Sequence, residues 1–235
     1  MSGEMSDLSR RPRADAERNR RRLLDAAAAV FGERGLDVGV AEIAQRAGVG
    51  RGTLFRNFPT KQDLIAAIVV DQMNDAAARG RDLLDAPDAA EALYEFLDEI
   101  AGRQQQGRAL FEAVQDTFLA NREIRESHAA IVEVTDALLA RAQAVGAVRP
   151  DIKALDVLLL LKGVCETATA FQQVDPQISE RHLDLVRAAL APPATAHMLR
   201  GRSPTLDDIE RAFASGEPSP DADSATAQAG ARRAT

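Results

Sequence analysis

At 235 residues the chain is long for one compact domain and suits a small domain joined to a larger one. Hydrophobic residues make up 46%, much of that alanine with little β-branched alternation, which predicts an all-α protein. The single cysteine, Cys165, excludes an internal disulfide framework and a cysteine-rich zinc site, and fits a reducing cytosol. The net charge of −7 excludes a uniformly basic coat, but it is unevenly placed. Residues 1–61 hold 12 Lys+Arg against 8 Asp+Glu, a balance of +4, and the remainder holds 17 against 28, a balance of −11. A basic head on an acidic body still attracts phosphates locally.

Residues 1–13 read as a flexible basic arm with Arg10, Arg11 and Arg13 around Pro12. A first helix is expected from about Asp15 to Glu33, burying Leu23, Leu24, Ala27, Ala28 and Phe31, and Gly35 stops it. The window from Val40 to Lys61, VAEIAQRAGVGRGTLFRNFPTK, is the most informative in the chain. Val40, Ile43, Ala44 and Ala47 form one stripe of a short second helix, and Gly48 ends it. Ala44 permits close approach of the next helix, Gly48 takes the left-handed corner, and Ile43, Val49 and Leu54 point inward. The third helix, Arg51 to Phe58, is then free to enter a DNA major groove.

Arg51, Thr53, Arg56 and Asn57 give that helix its polar groups. Arginine reads guanine or holds phosphate, and asparagine reads adenine. Gly52 costs the helix roughly 1 kcal/mol against alanine, which a close approach to DNA would explain. Val40, Gln45, Phe55 and Lys61 complete the expected DNA-binding set. Pro59 ends the helix, and Thr60 caps the next with Asp63 as its partner.

The fourth helix is expected from Lys61 to about Leu84, with Leu64, Ile65, Ile68, Val69 and Met73 inward. It belongs to both halves of the protein. A fifth helix opens at Pro87-Asp88 and ends near Ala101, before a polar break at Gly102 to Gly107. A sixth runs from Arg108 to Ala120 and a seventh from Ile124 to Val145. After a turn at Gly146 to Pro150, Asp151 is expected to cap an eighth helix, nearly solid aliphatic from Val157 to Leu161. Such a helix needs cover on most of its circumference, part from its own bundle and part from a second subunit. Asp175 and Pro176 read as N-cap and first residue of a ninth helix ending near Ala191. Ser203-Pro204 starts a short helix to Phe213, and 216–235 has a disordered composition.

The organisation is therefore an arm at 1–13, a helix-turn-helix domain at 14–62, a ligand-binding and dimerisation bundle at 63–200, and a short helix with a tail at 201–235. The expected total is nine or ten helices. Cavity candidates are Phe96, Phe111, Phe118, Leu161, Cys165 and Phe171, with Glu166, Thr169 or His128 as polar groups. The ordinary alternative is that the phenylalanines are core and Cys165 an inert buried thiol. The run Ile152 to Cys165 is too short, and too broken by Lys153, Asp156 and Lys162, to span a bilayer. The N-terminus has no signal-peptide core, so a cytoplasmic protein is expected. No HExxH, Gly-rich phosphate loop or GxSxG elbow is present, so neither an enzyme nor a cofactor or metal is expected.

From about Arg20 to Ile68 the chain resembles the TetR family of transcriptional regulators, on LLDAAAAVFGERG, VAEIAQRAGVGRGTLFRNF and PTKQDLI. The segment LLARAQAVGAVRPDIKALDVLLLLKGV also looks like members of that family. The resemblance implies that the third helix reads the major groove and that Lys61 contacts a phosphate. It implies a homodimer through the last two long helices, a double-stranded palindromic operator, and a small-molecule effector. The family often has tyrosine where this chain has Phe55, so that phosphate contact is lost or passes to Arg56. The reading is a ligand-responsive repressor. Its rival is a DNA-binding protein controlled by a partner protein or acting as an architectural factor.

Overall fold

The computed structural model describes residues 10–117, 120–171, 174–175, 177–192 and 199–215. Among these, nine α-helices and one 3-10 turn occur, with no strand. The head contains α1 (Arg10–Arg34), α2 (Val40–Arg46) and α3 (Arg51–Asn57). The body contains α4 (Lys61–Leu83), α5 (Ala89–Val114), α6 (Arg122–Ala144), α7 (Ala154–Phe171), α8 (Ile178–Leu190) and α9 (Leu206–Ser215).

Two apolar cores share α4. The first joins Leu23, Leu24, Ala27, Val30 and Phe31 of α1 to Ile43, Leu54 and Phe58, and to the first half of α4. Leu110 and Val114 of α5 and Ile124 of α6 belong to it as well, so the head is seated on the body. The second core fills the body around Phe96, Leu93, Leu138, Leu139 and Leu161. Met73 packs against both. At Gly80 the packing leaves no room for a side chain: a Cβ there would lie 2.7 Å from Phe96 Cε2 and 2.9 Å from Val134 Cγ2.

The chain's punctuation follows from capping chemistry. Gly35, Gly48 and Gly146 all have positive φ. The Thr60–Asp63 capping box is present, with Asp63 N–H donating to Thr60 Oγ1 at 3.0 Å and Thr60 N–H to Asp63 Oδ2 at 2.9 Å. Asp88 caps α5 by accepting from the N–H groups of Ala90 and Glu91.

Four boundaries differ from expectation. Helix α1 begins at Arg10, so the end of the expected arm is helical; Pro12 lies in the first turn, whose N–H groups have no helical partner. The break at Gly102 to Gly107 does not form, and α5 runs through to Val114. Gln104, Gln105 and Gln106 are good helix formers, and Arg103 is held one turn back by Glu99 at 2.7 Å. Gly107 is buried against Phe111 and Gln72, where a Cβ would come within 3.0 Å of the Phe111 ring. Asp151 does not cap α7. It pairs with Arg149 at 2.6 Å and accepts the Leu199 N–H at 2.9 Å, while Asp136 receives the Ala154 N–H at 3.1 Å. Asp175 accepts the Gln177 N–H at 3.0 Å in a turn that precedes α8, whose first residue is Ile178. Residues 1–9, Phe118, Pro176 and 216–235 lie outside the described residues.

Candidate nucleic-acid interface and ligand cavity

The α2–α3 corner is a Schellman turn. Val49 N–H donates to Ala44 C=O at 3.0 Å and Gly48 N–H to Gln45 C=O at 3.1 Å. This pairing needs the left-handed conformation at Gly48, where φ is +67°. Ile43, Ala44 and Leu54 are buried beneath it, and Val49 is half-buried. Two ion pairs tie α1 to α2: Arg34–Glu42 at 2.7 Å and Arg46–Glu33 at 2.9 Å.

The outer surface of the corner carries the expected DNA-binding residues. Gln45, Arg51, Gly52, Phe55, Arg56 and Asn57 are exposed, with Val40 and Thr53 half-buried beside them. Phe55 is 47% exposed, which is unusual for a phenylalanine with no core to enter. Arg56 donates to Gly52 C=O and Thr53 Oγ1, both at 3.2 Å, and Asn57 Nδ2 donates to Thr53 C=O at 2.8 Å. Both side chains are exposed and held only by these local bonds, which water can replace at little cost. Lys61 differs. Its ammonium is half-buried, donates to Leu36 C=O and lies 5.8 Å from the Phe31 ring centroid. It therefore ties the start of α4 to the loop after α1. Arg20, not singled out from sequence as an individual contact, stacks 4.8 Å from the Phe58 ring centroid.

Behind the head, Arg21 of α1 binds α4. It donates to both carboxylate oxygens of Asp75, one at 3.0 Å, and lies 3.3 Å from Asp71. The Asp75 hydrogen bond raises the Arg21 pKa above its ordinary value. Burial raises that of Asp71, against the opposing pull of Arg21.

The next face of α4 lines a cavity of about 240 Å³ between α4, α5, α6 and α7. Of the residues expected there, Phe111 and Cys165 line it, with His128 and Glu166 as polar wall. Phe96 and Leu161 do not: both are fully buried in the body core, Phe96 against Gly80. Phe171 is 52% exposed at the end of α7, away from the cavity. The Thr169 side chain, like Phe118, lies outside the described residues. The sequence reading missed Gln72 and Met73 on α4, Arg103 and Arg108 on α5, and Ile209 on α9. Burial pushes the Cys165 thiol pKa up, so it is a poor nucleophile. Burial, then Lys162, pushes His128 below its ordinary value and keeps it neutral near pH 7. No cluster of metal-binding side chains occurs among the described residues, and no helix among them is long and apolar enough to cross a membrane.

Comparison with known proteins agrees with this geometry. Residues 23–68 match the profile of bacterial regulatory proteins of the tetR family, and residues 88–192 match the SbtR-like transcriptional regulator C-terminal domain. An uncharacterised HTH-type transcriptional regulator of Mycobacterium tuberculosis, Rv2250c, is 34% identical over 146 residues, covering 60% of this chain and 75% of its own. The regulator UidR of Escherichia coli is 26% identical over 143 residues, covering 59% and 73%. Among solved structures, the TetR transcriptional regulator SCO0520 of Streptomyces coelicolor aligns with a TM-score of 0.62 at 33% identity, over 74% of this chain and 99% of that one. Helix α9 lies beyond both profile matches. With the corner, the exposed third helix and the helical body all matched in order, the chain belongs to the TetR family of helix-turn-helix transcriptional regulators.

Proposed function

We propose that this regulator is a cytoplasmic, homodimeric repressor that binds a palindromic operator and releases it when a small molecule fills the body cavity. The observation that carries the reading is the double use of α4. Asp71 and Asp75 on one face hold Arg21 of the head, while Gln72, Met73 and Ala76 form cavity wall. A molecule that prefers one tilt of α4 therefore also selects a head position, and this differential affinity is what coupling requires. The reach of one short recognition helix is small, and each bidentate base contact contributes only about 1–3 kcal/mol of discrimination. Two heads on a twofold axis supply the missing specificity.

The dimer reading is supported by apolar side chains that the chain leaves in the open. Val157 and Leu161 of α7 are buried, whereas Leu160 is 43% exposed and Leu185 of α8 is 58% exposed, and neither lines the cavity. The cavity favours a small-molecule effector over control by a partner protein. FadR of Bacillus subtilis, solved with stearoyl-CoA, shares the fold at 21% identity and a TM-score of 0.52. That level of likeness carries the architecture only.

The test is nuclease protection of the DNA flanking the protein's own coding region, using pure protein. A protected palindrome with half-sites about one helical turn apart, or a multiple of it, supports the reading. Protection of a single half-site by a monomer refutes the two-headed repressor.

A further inference from the structure

Helix α9 lies past residue 192, where the match to the C-terminal family profile ends, yet it builds part of the cavity. Ile209 lines the cavity with Leu155, Leu158 and Leu159 of α7, and every other lining residue falls between Gln72 and Glu166. Ile209 is half-buried and packs against the body core, whereas its neighbours Asp207, Glu210 and Arg211 are exposed and Leu206 is 39% exposed. Among the described side chains of α9, Ile209 is thus the apolar one turned into the body.

Polar bonds fix where that side chain lands. The Leu199 N–H donates to Asp151 at 2.9 Å, and Ser203 Oγ donates to Asp156, so the segment leading into α9 is tied to the start of α7. Asp156 already accepts the Lys153 N–H at 2.9 Å, which holds it in place. Helix α9 then starts on its own capping box. Thr205 N–H donates to Asp208 Oδ2 at 2.9 Å and Asp208 N–H to Thr205 Oγ1 at 3.3 Å. Ile209 follows directly. A helix held by few apolar contacts opens at lower free energy than the helices of the core. We propose that α9 is a detachable wall of the cavity and that Ile209 limits the size of molecule the cavity holds. This rests on the sensor reading above. The remaining wall, with Met73, Ile100, Phe111 and Ile131, suits an apolar body.

The experiment titrates full-length protein, with and without its protected DNA, against two uncharged dyes that fluoresce in apolar surroundings. They are 1-aminoanthracene and the larger Nile red. Wild type should favour 1-aminoanthracene. In Ile209→Ala, Nile red should gain about tenfold relative to 1-aminoanthracene, the scale on which a small change in an apolar pocket discriminates. Ser203→Ala, which loosens the strap without touching the wall, should move the ratio the same way by a smaller factor. Leu206→Ala, on α9 but off the wall, should leave it unchanged. The chain has no tryptophan, so Phe111→Trp places a single one on the cavity wall, and either dye bound there should quench its emission. An unmoved ratio in Ile209→Ala overturns the proposal. So do an equal shift in Leu206→Ala, no size preference in wild type, no quenching, or failure of both dyes to bind any form. The DNA arm separates the two readings. If Ile209→Ala gains Nile red while operator affinity ignores both dyes, the wall stands and the repressor switch falls. If a dye releases DNA from wild type but the ratio ignores Ile209→Ala, the switch stands and the wall falls.

Discussion

Gly48→Ala isolates the backbone contribution of the helix-turn-helix corner. A Cβ at Gly48 meets no atom within 4 Å, so the substitution introduces no clash. Its whole cost is conformational: φ is +67°, a region that penalises an L side chain by roughly 1–2 kcal/mol. A free head relieves this strain by rotating φ and re-aiming α3. A bound head cannot, because α3 is held in the groove. With about 1 kcal/mol per head and two heads per operator, affinity should fall roughly 30-fold. Gly146→Ala is the matched control. Gly146 has φ +71°, no atom within 4 Å of a Cβ, and the same pair of turn hydrogen bonds, to Gln143 and Ala142. Gly48→Ala, whose strain the free head relieves, should lose little thermal stability but should lose operator affinity, whereas Gly146→Ala should keep its affinity, both read by fluorescence anisotropy at fixed salt beside thermal melts. Gly48→Asn should recover part of the loss, because asparagine tolerates the left-handed region. Equal affinity losses in the two alanine variants, or none in either, would refute the reasoning.

Arg51→Ala and Asn57→Ala should relax base preference at defined operator positions, measured by binding to a half-site library; unchanged preference removes them from base reading. Lys61→Ala should weaken all sequences alike and also lower the melting temperature, since its ammonium holds Leu36 C=O. An unaltered salt slope would show that it touches no phosphate and acts through that internal bond alone. The double variant Leu160→Glu, Leu185→Glu should elute as a folded monomer in size-exclusion chromatography and lose operator binding; a dimer would place the interface elsewhere. Burial holds the folded-state pKa of His128 below its ordinary 6.5. The unfolded chain then binds the extra proton first, so stability should fall as pH drops below about 6.5, and His128→Gln should flatten that slope in thermal melts between pH 7.5 and 5.5.

Elements fixed by local chemistry were legible in the sequence. Gly48, Pro59, and the Thr60–Asp63 pair each satisfy or block backbone groups within a few residues, so their effect needs no knowledge of the rest of the fold. The path of α5 was not legible, because its glycines and glutamines look like a break until the packing of Gly107 against α4 is known. Asp151 was misread for a related reason. Its partners are the neighbouring Arg149 and the distant Leu199, and nothing local announces the second. The cavity was the least legible feature. Phe96 and Phe111 have the same chemistry and lie on the same helix, yet one fills the core and the other lines the cavity. What separates them is the three-dimensional convergence of four helices.

The crowding at Gly80 gives α4 a fulcrum. Phe96 and Val134 leave no room for a Cβ at that point, so a tilt of α4 that keeps this packing pivots about it. From Gly80 back to Lys61 the helix extends about 28 Å, so a tilt of about 5° swings its far end by about 2.5 Å. In a two-headed assembly the arcs add, and the gap between reading helices changes by about 5 Å, enough to miss the groove spacing of B-form DNA. If the regulator works as a two-headed dimer, a crowded glycine would turn a slight adjustment at the cavity wall into a displacement on the scale of a base-pair step.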